Sequence, residues 1–266
     1  MTDFRTRYGP TALITGAARG IGAGFARILA GRGFDLVLTD IDAEGIDRTA
    51  AVIAATHSSS VSTVALDMTE RAAPQELADS TRGRDIGLVI INHLFPGGSW
   101  QVLDSELGQL HAQLDANVRA YVDLAHIFGG RLRARGRGGL VLMSSLTAVV
   151  GSPYVTTYGA SKAFLLAFGS GLGYELRPSN VDVLTVVPSS VNTETYRQST
   201  RTPSRLFPPM EVDDFAEQSL RKLGKRWVTV PGARNALTAA VLTRILSRQA
   251  ATSLIGRNME SMLRVR

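Results

Sequence analysis

Seven short runs dominated by Val, Leu and Ile recur along the chain, each separated from the next by a longer segment. The runs are Thr11–Thr15, Asp35–Thr39, Val61–Leu66, Ile86–Asn92, Gly139–Ser144, Val181–Val187 and Val228–Val230. They lack the polar alternation of half-exposed strands and read as strands buried on both faces. Helical patterns lie between them at Ile21–Arg32, Ala43–Thr56, Pro74–Arg82, Asp104–Arg135 with a break, Thr157–Leu176 and Asp213–Leu223. In the first of these Ile21, Phe25, Ile28 and Leu29 share one face. The alternation predicts an α/β fold of the Rossmann type: a doubly wound parallel sheet with helices on both faces. A chain of 266 residues fits one such domain, which we place at residues 1–232.

Beyond Pro231-Gly232, the segments Arg234–Gln249 and Thr252–Leu263 read as amphipathic helices. Leu237, Val241, Ile245 and Leu246 mark one stripe; Leu254, Ile255, Met259 and Met262 mark another. Residues 233–266 are therefore expected to pack on the same domain or on a neighbouring subunit of a homodimer or homotetramer, in preference to a membrane surface. Burial of large side chains against protein gains about 1.5–3 kcal/mol each, against about 1 kcal/mol per basic residue near an anionic bilayer. The net charge of +6 is uneven: residues 221–266 carry +9 and the rest −3. Only Trp227 interrupts that basic tail with an aromatic ring, so it reads as a solvated face and not as a nucleic-acid surface.

With no Cys, disulfides, thiolate metal sites and Cys nucleophiles are excluded. His57, His93, His111 and His126 show no ligand spacing, so no metal is expected. The N-terminus has no apolar leader core, and the uncharged run Gly138–Ser161 is broken by Pro153 and glycines. The expected location is the cytoplasm.

The first strand runs into Gly16-Ala17-Ala18-Arg19-Gly20-Ile21-Gly22, where a helix begins. Gly16 permits the tight turn, and Gly20 and Gly22 let a pyrophosphate approach backbone N–H groups at the helix start. Asp40 ends the second strand, placed to accept from adenosine ribose hydroxyls and to repel a 2′-phosphate. This favours NAD, while Arg19 in the turn leaves NADP possible. Asp67, after the third strand, can accept from an adenine amino group beside Met68, or cap a turn.

Between Arg137 and Glu175 a single charged residue occurs, Lys162. An ammonium in so apolar a stretch is expensive unless it serves a function. Tyr158 stands one helical turn before it. A phenol ordinarily titrates near 10, and a neighbouring ammonium is expected to lower that value and make Tyr158 a usable general acid and base. Ser145, at the carboxyl end of a strand, can hold a substrate carbonyl beside it.

With this constellation the sequence closely resembles the short-chain dehydrogenase/reductase family over about Pro10 to Gly232. The resemblance makes TGAARGIG the cofactor turn, brings Asn117 into the active site, gives Ser145 the substrate and gives YGASK the pair Tyr158 and Lys162. It also implies that Lys162 binds the nicotinamide ribose, that Asn117 holds a relay water, and that Pro188, Val191 and Thr193 lie by the nicotinamide. Two departures stand out. The family's Asn-Asn-Ala-Gly is here Ile91-Asn92-His93-Leu94, and its Pro-Gly is Pro188-Ser189. The expected reaction passes a hydride between a nicotinamide cofactor and a secondary alcohol or ketone. An epimerase or lyase on the same scaffold, or a non-catalytic cofactor-binding module, are the alternatives. The aromatic residues Phe95, Trp100, Tyr154, Tyr196 and Phe207, with Leu206, suggest an apolar, medium to large substrate, and Arg197, Arg201 and Arg205 could meet an acidic group on it.

Overall fold

The computed structural model describes residues 4–96, 101–199 and 208–263. Its elements follow in the order α1 (Phe4–Tyr8), β1 (Thr11–Thr15), α2 (Gly20–Gly31), β2 (Asp35–Asp40), α3 (Ala43–Thr56), β3 (Val61–Ala65), α4 (Ala73–Ser80) and β4 (Ile86–Ile91). Then come α5 (Leu107–Leu114), a π turn (Asp115–Arg119), α6 (Ala120–Arg135), β5 (Gly138–Met143), α7 (Thr156–Leu176) and β6 (Val181–Val186). The chain continues through α8 (Glu194–Ser199), α9 (Val212–Leu220), β7 (Val228–Thr229), α10 (Ala233–Arg244) and α11 (Arg248–Leu263).

The strands form one parallel sheet in the order β3-β2-β1-β4-β5-β6-β7. After β3 the chain crosses back to lay β4 beside β1, which opens a crevice at the carboxyl ends of those two strands. Strand alternation divides the core. Ile14, Leu88 and Ile90 face Phe25, Leu29 and Phe215 of α2 and α9. Leu13, Val89 and Ile91 face Leu77, Leu124, Phe128 and Leu165 of α4, α6 and α7.

The C-terminal helices belong to a third cluster. Ala239, Leu242, Ala251 and Ile255 pack with Leu146 and Val187, which follow β5 and β6. Tyr154 donates to Glu260 Oε1 at 2.7 Å, joining α11 to the loop before α7. The stripe expected on α10 is corrected in part. Leu237 and Ile245 are 67% and 74% exposed, and the inward face carries Ala239 and Leu242. The helix is rotated so that its small residue meets the protein, which lets the backbone come close. On α11, Leu254, Ile255 and Met259 do turn inward, while the Met262 side chain lies outside the described residues.

Leu242→Ala should therefore lower stability by about 2–5 kcal/mol, read as a reduced urea midpoint. Leu237→Ala should leave the midpoint nearly unchanged. Equal effects of the two would contradict this orientation of α10.

Candidate active site

The turn between β1 and α2 is shaped for close approach. Gly16 and Gly20 have φ of +65° and +57°, in the left-handed region that favours glycine. A Cβ on Gly16 would lie 2.8 Å from His93 Cα, and one on Gly22 would lie 2.0 Å from Gly16 O. The Arg19 side chain makes no capping bond, so it does not cover the N–H groups that open α2 at Gly20 and Ile21. Asp40 is drawn to the same turn: Oδ2 accepts from Ala18 N at 3.0 Å and Oδ1 from Asp42 N at 3.2 Å. Asn92 closes the other side, donating through Nδ2 to Gly16 O at 3.0 Å. Gly16, Asp40, Asp67, Met68, His93 and Leu94 line one cleft. Asp67 Oδ1 also accepts from Thr69 N and Oγ1, so it caps its own turn.

Two buried hydroxyls at this end of the sheet, Thr39 Oγ1 and Ser189 Oγ, have no hydrogen-bond partner. Together with the glycine cradle and the Asp40 carboxylate, they suit a polar dinucleotide lying across the strand ends. Further along, Pro188 O accepts from Leu146 N at 2.8 Å, Val191 bridges to Met210, and Thr193 Cγ2 lies 3.2 Å from where a Gly20 Cβ would stand. Arg19 is exposed, 3.8 Å from Asp42.

The expected catalytic residues converge from three elements. Asn117 sits in the π turn, fully buried, and clamps the main chain of Phe95: Nδ2 donates to its O and Oδ1 accepts from its N, each at 2.9 Å. Ser145 follows β5, and its Oγ accepts from Thr147 N and Oγ1 at 3.2 and 3.0 Å. Tyr158 and Lys162 lie on α7, with Nζ 5.9 Å from the Tyr158 ring centroid. Ser144 Oγ donates to Lys162 O at 2.8 Å and pins α7 against the end of β5.

One expectation is corrected. Burial pushes the Tyr158 phenol above its ordinary value of 10.0, and the neighbouring Ser145 side chain offsets only part of the rise. Lys162 does not pull the phenol down here, because burial lowers its own value from 10.5 to about 7. Its Nζ donates instead to Met143 O at 2.9 Å and Tyr121 Oη at 3.2 Å. Trp100, Arg201, Arg205, Leu206 and Phe207 lie outside the described residues.

Sequence reasoning missed how His93 is used. Its Nε2 donates to Ala116 O at 3.0 Å, which leaves Nδ1 to accept from Thr15 Oγ1 at 2.8 Å. Burial holds the ring neutral, with its value lowered from 6.5 to about 3. Tyr121 was missed as well. An aromatic residue in a helical pattern reads as core, and only the three-dimensional contact with Lys162 reveals more.

The family model for short chain dehydrogenases matches residues 10–204. The chain belongs to that family. A curated member, 7beta-hydroxysteroid dehydrogenase of Clostridium sardiniense, is 26% identical over 235 residues, covering 88% of this chain and 89% of its own. Another, 1-deoxy-11-beta-hydroxypentalenate dehydrogenase of Streptomyces avermitilis, is 38% identical over 187 residues, 69% of each chain. A solved short-chain dehydrogenase from Sphingobium yanoikuyae in complex with NADPH is 30% identical with a TM-score of 0.77, covering 92% of this chain and 96% of its own. As a short-chain dehydrogenase the protein is an oxidoreductase acting on CH–OH and C=O groups, the chemistry expected from its motifs.

The neutral His93 makes stability depend on acid. Between pH 6.5 and about 3 the unfolded chain takes up a proton at His93 that the folded chain does not. The parent should thus lose stability progressively as pH falls below about 6.5. His93→Gln should show a shallower loss in urea midpoints measured across that range, and parallel curves would contradict the assignment.

Proposed function

We propose that Tyr158 is the general acid and base of this oxidoreductase, with Ser145, Lys162 and Asn117 as its partners. The observation that carries this is the convergence of the Tyr158 phenol with Ser145, at the carboxyl end of β5, and with the buried Lys162 one helical turn on, whose Nζ lies 5.9 Å from the phenol ring centroid. Tyr158 Oη gives its proton to the carbonyl oxygen during reduction and takes one from the alcohol during oxidation. Ser145 Oγ donates to the same oxygen and orients it. Lys162 supplies positive charge that stabilises the phenolate left by that transfer. A bound nicotinamide dinucleotide supplies or accepts the hydride. Gly16, Gly20, Ile21 and Gly22 would hold its pyrophosphate, with Asp40 on the adenosine ribose and Lys162 on the nicotinamide ribose.

The preferred form is NAD. The Asp40 carboxylate, fixed by two backbone N–H groups, suits ribose hydroxyls and repels a 2′-phosphate. Arg19 and Arg48, at 3.8 and 3.9 Å from Asp42, keep NADP as the second reading, which the NADPH-bound relative supports. The substrate is an apolar, medium to large secondary alcohol or ketone. The hydroxysteroid and hydroxypentalenate named for two relatives favour a fused-ring compound. Among the described residues no helix is long and apolar enough to cross a membrane. We place the protein in the cytoplasm as a homodimer or homotetramer.

Tyr158→Phe should cut turnover by about 10²–10⁴-fold while cofactor fluorescence titrations stay nearly unchanged; near-normal turnover overturns the assignment. In the same titrations NADH should bind more tightly than NADPH, and Asp40→Ser should narrow or reverse that order. A parent protein that favours NADPH tenfold would reject NAD as the preferred form.

A further inference from the structure

Lys162 is 1% exposed, and its four-carbon stem gives the ammonium wide freedom unless acceptors hold it. Two do: Met143 O, on the β5 backbone, and the Tyr121 hydroxyl on α6. The Tyr121 hydroxyl has one proton, which it donates to His93 O at 2.8 Å, so its lone pairs face Lys162. Its ring adds a second contact, with Nζ 4.7 Å from the centroid, a cation–π distance.

Tyr121 is itself immobilised. It is fully buried, and its ring lies 4.8 Å from that of His93. His93 in turn is tied to Thr15 Oγ1 and Ala116 O. Thr15 is the last residue of β1, directly before Gly16 of the cofactor turn. A continuous set of contacts therefore runs from that turn through two buried rings to the ammonium. His93, one of the two residues that replace the family's small pair, forms part of this support.

We propose that Tyr121 is a positioning residue for the reaction: its hydroxyl, anchored on the His93 carbonyl, fixes the Lys162 ammonium on the Tyr158 side of the site. The titratable groups facing Lys162 are Tyr158 on its own helix, Tyr121 on α6 and His93 after β4, while β5 contributes the Met143 carbonyl. Burial keeps Tyr121 and His93 neutral across the working range, and in the cofactor-free protein it holds the Tyr158 phenol neutral as well, so Lys162 carries the titration. Removing the Tyr121 hydroxyl takes an acceptor from the ammonium and leaves its neutral form relatively favoured.

The chain has three lysines, and Lys222 and Lys225 are exposed, so Lys162 can be followed in lysine-labelled protein by NMR. In the cofactor-free protein Tyr121→Phe should lower the Lys162 midpoint by about one pH unit. In alcohol oxidation with the cofactor saturating, where its ribose would favour the ammonium, the acid limb of kcat/KM for the alcohol should move up by about one unit as a less stable ammonium supports the Tyr158 phenolate less. If the Phe variant fails to fold, 3,5-difluorotyrosine at position 121 keeps ring and hydroxyl while weakening the acceptor, and should move both midpoints in the same directions by less. A Lys162 midpoint that matches the parent, or an acid limb that stays in place, overturns the proposal. The inference rests on the oxidoreductase reading, but the NMR titration needs neither substrate nor cofactor. Absence of turnover in the parent would thus reject that reading and still leave Tyr121 to be decided by the Lys162 midpoint.

Discussion

An ammonium held inside the protein must be given acceptors, and the centre of this molecule is arranged around that requirement. Lys162 is the only charged side chain between Arg137 and Glu175. Burial brings its value from 10.5 to about 7, so both protonation states are populated near neutrality in the cofactor-free protein. Acceptors come from two separate elements, Met143 O of β5 and Tyr121 Oη of α6. The bond from Ser144 to Lys162 O fixes the position of α7 against the strand end. A group kept at this cost to folding is typical of a functional site, where stability is given up for chemistry.

The parallel sheet supplies the rest of the geometry. Because β4 returns beside β1, the Gly16 turn, Asn92 and His93 meet at one crevice. Asp40 and Lys162 then lie on opposite sides of it, one on β2 beyond β1 and the other on α7 beyond β5. A carboxylate at one end and an ammonium at the other suit the two riboses of a dinucleotide. The chain's own groups do the remaining work: Asn117 fixes Phe95, Ser145 stands beside Tyr158, and these groups meet where the loops after β4 and β5 converge.

Much of this was legible before any coordinates. Strands such as β1, β4 and β5 are buried on both faces and announce themselves as short runs rich in Val, Leu and Ile, with no charged residue and no polar alternation. Tyr158 and Lys162 stood out because an uncharged stretch makes a lone lysine conspicuous. The direction of the Tyr158 shift was not legible, since it depends on how deeply the fold buries the phenol and not on spacing along the helix. The inward face of α10 was equally hidden: large residues at helical spacing suggested Leu237 and Ile245, while close packing selected Ala239 and Leu242. The His93 network could not be read either, because Thr15 and Ala116 meet it from distant points of the chain.

Burial brings the titration of Lys162 near neutrality at the site proposed for the cofactor. This is tested most directly by calorimetric titration of NADH in buffers that differ in ionisation enthalpy, which counts the protons exchanged on binding. Ribose hydroxyls accepting from Lys162 favour the ammonium. The account thus predicts proton uptake on binding at pH 7, falling toward none near pH 5 where Lys162 is already charged. Lys162→Met should remove that uptake. Binding that exchanges no protons at any pH between these values would contradict the account.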